Sequence, residues 1–431
     1  IEGTGKKSIT LWMSMQPMKP GDWNAELKKR RDAAAAACSD TENITAGMNL
    51  ADCRPTTPTL IKLHRAANDF IVARKTPDGK PGTTVIAGYP WFADWGRDTM
   101  ISMPGLLFTP GRFHQAREVL TVFAKYVSRG MIPNRFDDYT NEPEYNTVDA
   151  SLWFIHVAFE YLRLSKDQAT FDSILLPACR AIVNGHIEGT RYHIKMDPAD
   201  GLITQGDHYT QLTWMDAKCN DVAFTPRQGK PVEINALWYH ALVLLKMNDL
   251  ATKVKENFQK KFWISTERGL ADVVDGDRQD QSLRPNQIFA VSLPNSPLTI
   301  DQQKAVVDVV RRELLTPAGL RTLARSEPGY RGKYTGDQFH RDGAYHNGTV
   351  WAWLIGPFLE GYLKVNNQSP AAINQATEWL SPLVIQINTE GCIGQIAEIF
   401  EGDEPHRAVG CCAQAWSIAE VLRLAAMLKM K

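Results

Sequence analysis

Nowhere in its 431 residues does the chain carry a run of roughly 18 consecutive apolar residues, so no segment reads as a helix that crosses a bilayer. An excess of either charge is missing too. Lys plus Arg and Asp plus Glu number 48 each, and the longest basic run is the KKRR at Lys28 to Arg31, which argues against nucleic acid or an anionic membrane surface as partner. A neutral partner fits better. The cysteines (Cys38, Cys53, Cys179, Cys219, Cys392, Cys411, Cys412) are odd in number and lack CxxC or Cys/His spacing, and His208, His340, His346 and His406 are scattered. Neither a disulfide framework nor a zinc site is expected, and the thiols read as reduced, small hydrophobes. GxSxG, GxGxxG and P-loop motifs are absent, which leaves acyl transfer, dinucleotide chemistry and phosphoryl transfer without support. The stretch DVVDGDRQD lacks the DxDxDG register and closing Glu of a calcium loop. No metal or cofactor is expected. Signal-peptide regions are not seen, so a cytoplasmic location is expected, although a start at Ile1 reads as a fragment or processed form.

What is present is a repeating helical plan. Residues 1–56 read as an irregular segment, the end of a preceding module or a linker, and 57–431 as one catalytic-sized unit. Within it twelve helix-period segments fall at 57–75, 97–108, 111–129, 147–164, 168–188, 232–247, 248–264, 285–293, 301–314, 347–364, 370–388 and 412–429. Strand signals are almost absent. Odd-numbered segments such as FHQAREVLTVFAKYVSR are amphipathic, whereas even-numbered ones such as DASLWFIHVAFEYL and EINALWYHALVLL are apolar nearly all round and must be buried on every side. That alternation predicts an all-α fold, an (α/α)6 barrel of six inner and six outer helices. Each link from odd to even helix is long: 76–96, 130–146, 189–231, 265–284, 315–346 and 389–411. In an up-and-down toroid all six emerge at one mouth, and long loops in a compact domain are usually functional.

The loops are rich in acids, arginines, amides and aromatics, above all PWFADWGRD at Pro90 to Asp98. Aromatic faces stack on sugar rings while Asp and Arg bind hydroxyls, so the mixture suits a carbohydrate pocket. Taken alone, it equally describes a loop whose Arg97 pairs with Asp94 or Asp98. Glycoside cleavage needs one protonated carboxyl and one ionised carboxylate flanking the bond. Asp216 sits beside Trp214 and Met215, and Glu398 among Ile396, Ile399 and Phe400, apolar settings that raise a carboxyl's pKa. For either residue a helix cap or ion-pair partner is the alternative.

PWFADWGRDTMISMPGL, GMIPNRFDD with YNTVDASLWF, QLTWMDAK followed by GKPVEINALWY, DGAYHNGTVWAWLIGPF, and EIFEGDEPH with GCCAQAWSIAEVLR resemble, in order, the motifs of the amylo-alpha-1,6-glucosidase domain of glycogen debranching enzymes. The likeness runs from about residue 60 to the C-terminus, and is more distant to trehalases and glucoamylases. It implies an inverting mechanism with Asp216 as general acid and Glu398 as general base. It also implies that Trp95, Arg97, Asp98, Asn134 and Arg135 line the glucose pocket, to which we add Trp214, Glu233 and His346. Adjacent Cys411 and Cys412, and GDHYTQ before TWMD, depart from the pattern. The expected substrate is a glucan with alpha-1,6-linked glucose stubs. A trehalase or glucoamylase type, or a silent glycan-binding barrel, are the alternatives; an epimerase would want a histidine pair that the sequence does not display.

Overall fold

The computed structural model describes residues 57–430 apart from 77–78, 138–139 and 141, together with Ala25, Lys28, Lys29 and Asp32. The rest of the expected N-terminal segment lies outside the described residues. The fold is helix-rich, and each of the twelve predicted segments contains a helix: α1 Pro58–Asn68, α2 Gly96–Met103, α3 Phe113–Lys125, α4 Asp149–Ser165, α5 Leu176–Glu188, α6 Val232–Leu244, α7 Asn248–Phe262, α8 Phe289–Ser292, α9 Ile300–Leu314, α10 Ile355–Val365, α11 Pro370–Gln386 and α12 Ala415–Met427.

The even-numbered helices pack in a closed circuit, α2 on α4, α4 on α6, α6 on α8, α8 on α10, α10 on α12 and α12 back on α2. Odd-numbered helices lie against this circuit, α1 on α12, α3 and α5 on α4, α7 on α6, α9 on α10, and α11 on both α10 and α12. The division follows composition. In α6 a single unbroken run from Val232 to Trp238 is buried, whereas α7 buries only Ala251, Val254, Phe258 and Phe262, one residue per turn on one face. Outer helices carry the local start signals: Thr57 caps α1, Ser369 caps α11, and Thr299 with Gln302 forms a reciprocal capping box on α9. Inner helices approach closely where side chains vanish. A Cβ on Gly105, just beyond α2, would stand 2.0 Å from the Ala419 carbonyl oxygen of α12.

Strands are few and short, as expected, and lie in the loops. Five antiparallel strands, Leu315–Thr316, Gly319–Arg321, Val350–Trp351, Ile399–Phe400 and Ala408–Val409, form one sheet in that order, and Gly88–Tyr89 pairs with Ala413–Gln414. At two or three residues each, these strands are too short to show alternation. DVVDGDRQD is a hairpin pairing Val273–Asp275 with Arg278–Asp280, turned at Gly276 with φ +60. Segment 347–364 begins later than its period suggests, because Val350–Trp351 is strand and Ala352–Leu354 a 3-10 turn before α10. The loop 315–346 holds an unforeseen helix, Gln338–Tyr345. Among the described residues no helix is long and apolar enough to cross a membrane.

Candidate active site

Acids gather at the N-termini of the inner helices. Asp98, Asp149 and Glu233 occupy the first turns of α2, α4 and α6, where unpaired backbone N–H groups and the helix dipole favour negative charge. Arg97, also in the first turn of α2 and 2% exposed, ties three loops together. Its Nε donates to both Asp149 carboxylate oxygens at 2.8 Å, one Nη to Asp216 Oδ2 at 2.8 Å, and the other to Thr147 Oγ1 at 3.2 Å and the Leu212 carbonyl at 3.1 Å. Neither local pairing considered for Arg97 is its main one. Asp94 is instead hydrogen-bonded to Arg74 and, at 3.0 Å, to Thr84.

Asp216 accepts from Arg97 through Oδ2, and its side chain stays about 33% exposed. Burial pushes its carboxyl above the usual range, with the Asp149 charge adding to this and Arg97 opposing both. Glu398 is more enclosed. Cys411 N–H donates to its Oε2 at 3.0 Å and Tyr345 O–H to its Oε1, so both oxygens are oriented. Burial pushes Glu398 up to about 7; Asp216 adds to the rise, while the two hydrogen bonds favour the ionised form and oppose it. Asp98 accepts from Gln414 Nε2 at 3.3 Å and is pushed up to about 8 by burial, with the charges of Asp216, Glu398 and Asp149 adding to that and Arg97 opposing it. Electrostatic coupling thus joins Asp98, Asp149, Asp216 and Glu398 around one guanidinium.

Beside this cluster, Trp95 and Arg135 are bridged through their backbones and the guanidinium lies 5.8 Å from the indole centroid. Arg135 is also held by Glu144 at 2.7 Å. Asn134, whose carbonyl accepts from Gly96 N–H at 2.6 Å, has a buried side-chain Oδ1 with no hydrogen-bond donor. That atom is an acceptor suited to a hydroxyl.

The other three expected contacts, Trp214, Glu233 and His346, have partners of their own. Trp214 donates to Asn286 Oδ1 at 2.7 Å and, with His346, Trp351, Trp353 and Trp416, builds a continuous aromatic layer that Tyr345 extends to Glu398. His346 is fully buried in this layer, stacked on Trp351 at 5.2 Å, and burial holds its imidazole neutral, well below the ordinary value. Glu233 is clamped by Arg227, which also binds Asp272 at 2.7 Å. These residues buttress the neighbouring loops. Glu401, next to Ile399–Phe400, pairs with Arg407 and Lys333, at 3.0 and 3.2 Å.

Sequence reasoning missed Asp149 and Tyr345, although YNTVDASLWF and DGAYHNG contain them; an acid opening an apolar helix was the usable signal for the first. It also missed a histidine pair. His156 Nδ1 and His240 Nε2 lie 3.1 Å apart, and each sits about two turns or roughly 10 Å along its helix from the acids at the N-terminus. His156 lines a separate cavity of about 710 Å³ with Trp153, Phe289, Glu360 and Arg423. That cavity contains none of the clustered acids.

Comparison with known proteins gives three findings. The profile of a family described as amylo-alpha-1,6-glucosidase matches residues 65–423. Glycogen debranching enzyme from Saccharomyces cerevisiae is 27% identical over 417 aligned residues, covering 72% of this chain; the chain spans only about a quarter, 27%, of that relative's length. Among solved structures, a metal-independent alpha-mannosidase from Streptococcus pneumoniae, in a non-productive complex with alpha-1,6-mannobiose, superposes with a TM-score of 0.55 at 15% identity. The superposition covers 94% of this chain and 98% of that one. It speaks for the fold alone.

Proposed function

Because the chain belongs to the amylo-alpha-1,6-glucosidase family, we propose that its acidic cleft hydrolyses alpha-1,6-linked glucose stubs of branched glucans with inversion, on an (α/α)6 barrel formed by residues 57–431. The observation that supports this reading is two interacting carboxyls with different partners, Asp216 bound by the Arg97 guanidinium and Glu398 by Tyr345 O–H and Cys411 N–H. The partly exposed Asp216 carboxyl, its pKa raised by burial, carries the proton for the leaving glycosidic oxygen. Glu398, fixed by Tyr345 and Cys411 N–H, accepts a proton from water as that water attacks the anomeric carbon from the opposite face. One displacement then yields beta-glucose with no covalent intermediate, and the two carboxyls should stand about 6.5 to 9.5 Å apart to leave room for the water.

Arg97, Asp98, Asn134, Arg135 and Trp95 form the pocket for the departing glucose. A neutral Asp98 at pH near 7 donates a hydrogen bond as well as accepting one, which suits a sugar hydroxyl. The decisive experiment is to supply glucosyl-branched limit dextrin and follow the anomeric proton of fresh glucose by NMR. Beta-glucose appearing first is expected; alpha-glucose first rejects Glu398 as base, and no glucose rejects the substrate.

A further inference from the structure

The cavity of about 710 Å³ that His156 borders has the size of a small-molecule site and lies toward the far ends of the inner helices. Glu160 and Arg163 come from the last turns of α4, Ser292 from the end of α8, and Arg423 and Met427 from the last turns of α12. Asp98, Asp149 and Glu233 instead open their helices, at the other end. Met427, 45% exposed, stands at the rim.

Rings, balanced charge and one oriented donor meet on this wall. Trp153, which is partly exposed, meets Phe289 edge-on at 5.6 Å, and Phe289 stacks on Trp353 at 5.6 Å. Glu160, Glu360 and Glu420 are matched in number by Arg163, Arg423 and Lys429, with Arg163 paired to Glu160 at 2.7 Å and Arg423 to both Glu360 and Glu420. The donor is His156, and its direction follows from its neighbours. The Asn295 amide nitrogen can only donate, so His240 Nδ1, 3.0 Å away, accepts. Burial holds both imidazoles below their ordinary value, hence neutral near pH 7. The single His240 proton therefore sits on Nε2 and is donated to His156 Nδ1 at 3.1 Å. His156 carries its own proton on Nε2, which has no partner among the described residues.

We propose that this cavity is a second ligand site and that it takes a neutral mono- or disaccharide. Matched acids and bases favour neither an anion nor a cation. A pyranose ring offers an apolar face to Trp153, hydroxyl oxygens that accept from His156 Nε2–H, and hydroxyl hydrogens that donate to Glu360. Glu360 can take them, since its side chain is 36% exposed beside its bond from Arg423. A purely apolar ring would strip water from the His156 N–H and the Glu360 carboxylate without replacing its hydrogen bonds, which is costly.

The test places an NMR-active carbon at every histidine Cε1 of the whole chain and follows the ring signals during titration with D-glucose and with maltose. The His156 signal is assigned by its loss in His156→Gln or His156→Asn. It should shift and saturate with at least one of the two sugars, while that of His114, exposed on α3, stays in place. Ser292→Trp, which fills the cavity from the end of α8, should abolish the shift; Met427→Trp at the rim replaces it if that variant does not fold. A His156 signal unmoved up to about 100 mM sugar, far above a millimolar Kd, overturns the site. A shift that persists in the filled variant originates elsewhere and overturns it as well. An equal shift with cyclohexanol, or a larger one with gluconate, overturns the neutral sugar as ligand. None of these signals depends on turnover, so a chain that releases no glucose from limit dextrin overturns the proposed hydrolysis and leaves this result standing.

Discussion

Tyr345 is the residue whose removal separates orientation from simple burial. Its hydroxyl donates to Glu398 and thereby favours the ionised carboxylate, opposing the burial that pushes Glu398 up to about 7. A general base must be ionised, so activity should rise with pH toward about 7, and Tyr345→Phe should shift that rising limb to higher pH. The measurement is kcat/KM against pH on limit dextrin; an unmoved limb rejects Glu398 as the titrating base. Asp216→Asn should abolish most activity on natural glucan yet spare glucosyl fluoride, whose leaving group needs little protonation. Asp98 gives a sign that stability alone can check. Its folded pKa, about 8, lies above the ordinary value of 3.8, so the folded state binds more protons and stability falls as pH rises between them. Each unit of such a shift is worth about 1.4 kcal/mol at most. Asp98→Asn removes that slope, and urea melts should show the variant gaining on wild type from about pH 5 to pH 8. An unchanged difference would mean that Asp98 is ionised in the fold.

Helices were legible in the sequence because each carries its own period, and contacts between loops were not, because their partners lie far apart in the chain. The buried run in α6 and the single apolar face of α7 declare inner and outer positions without reference to anything else. Asp216 and Glu398 are proposed as acid and base from local apolar neighbours and motif likeness, and the structure joins them to one electrostatic cluster. Tyr345 meets Glu398 across 53 residues and Arg97 meets Asp149 across 52, so no local pattern could announce either contact. Close approach between elements is equally silent in composition, although glycine marks it. Gly105→Ala would drive a methyl into the Ala419 carbonyl on a facing helix, where backbone cannot step aside. A loss of about 1 to 3 kcal/mol or more is expected. A melting temperature equal to wild type would show that α2 and α12 can separate.

At the scale of the molecule the circuit of inner helices closes through its last member. α12 packs on α10 behind it and on α2 far back in the chain, and it buries Trp416, Ile418, Val421, Leu422 and Leu424. At about 2 kcal/mol for each large apolar side chain, those five residues represent about 10 kcal/mol, comparable with the whole margin of a folded domain. Just before it, Ala413–Gln414 pairs with Gly88–Tyr89, and Gln414 reaches Asp98. α12 and the strand before it therefore complete the hydrophobic circuit and fasten Asp98 together. Deleting residues 412–431 should leave a chain with helical far-ultraviolet dichroism but without a cooperative thermal transition, and without glucose release. Adding a peptide of residues 412–431 back in trans should restore part of both only if α2 and α10 leave a preformed groove. A truncated chain that melts cooperatively would show that five inner helices hold the cleft without the sixth, and would sever the link between ring closure and the placement of Asp98.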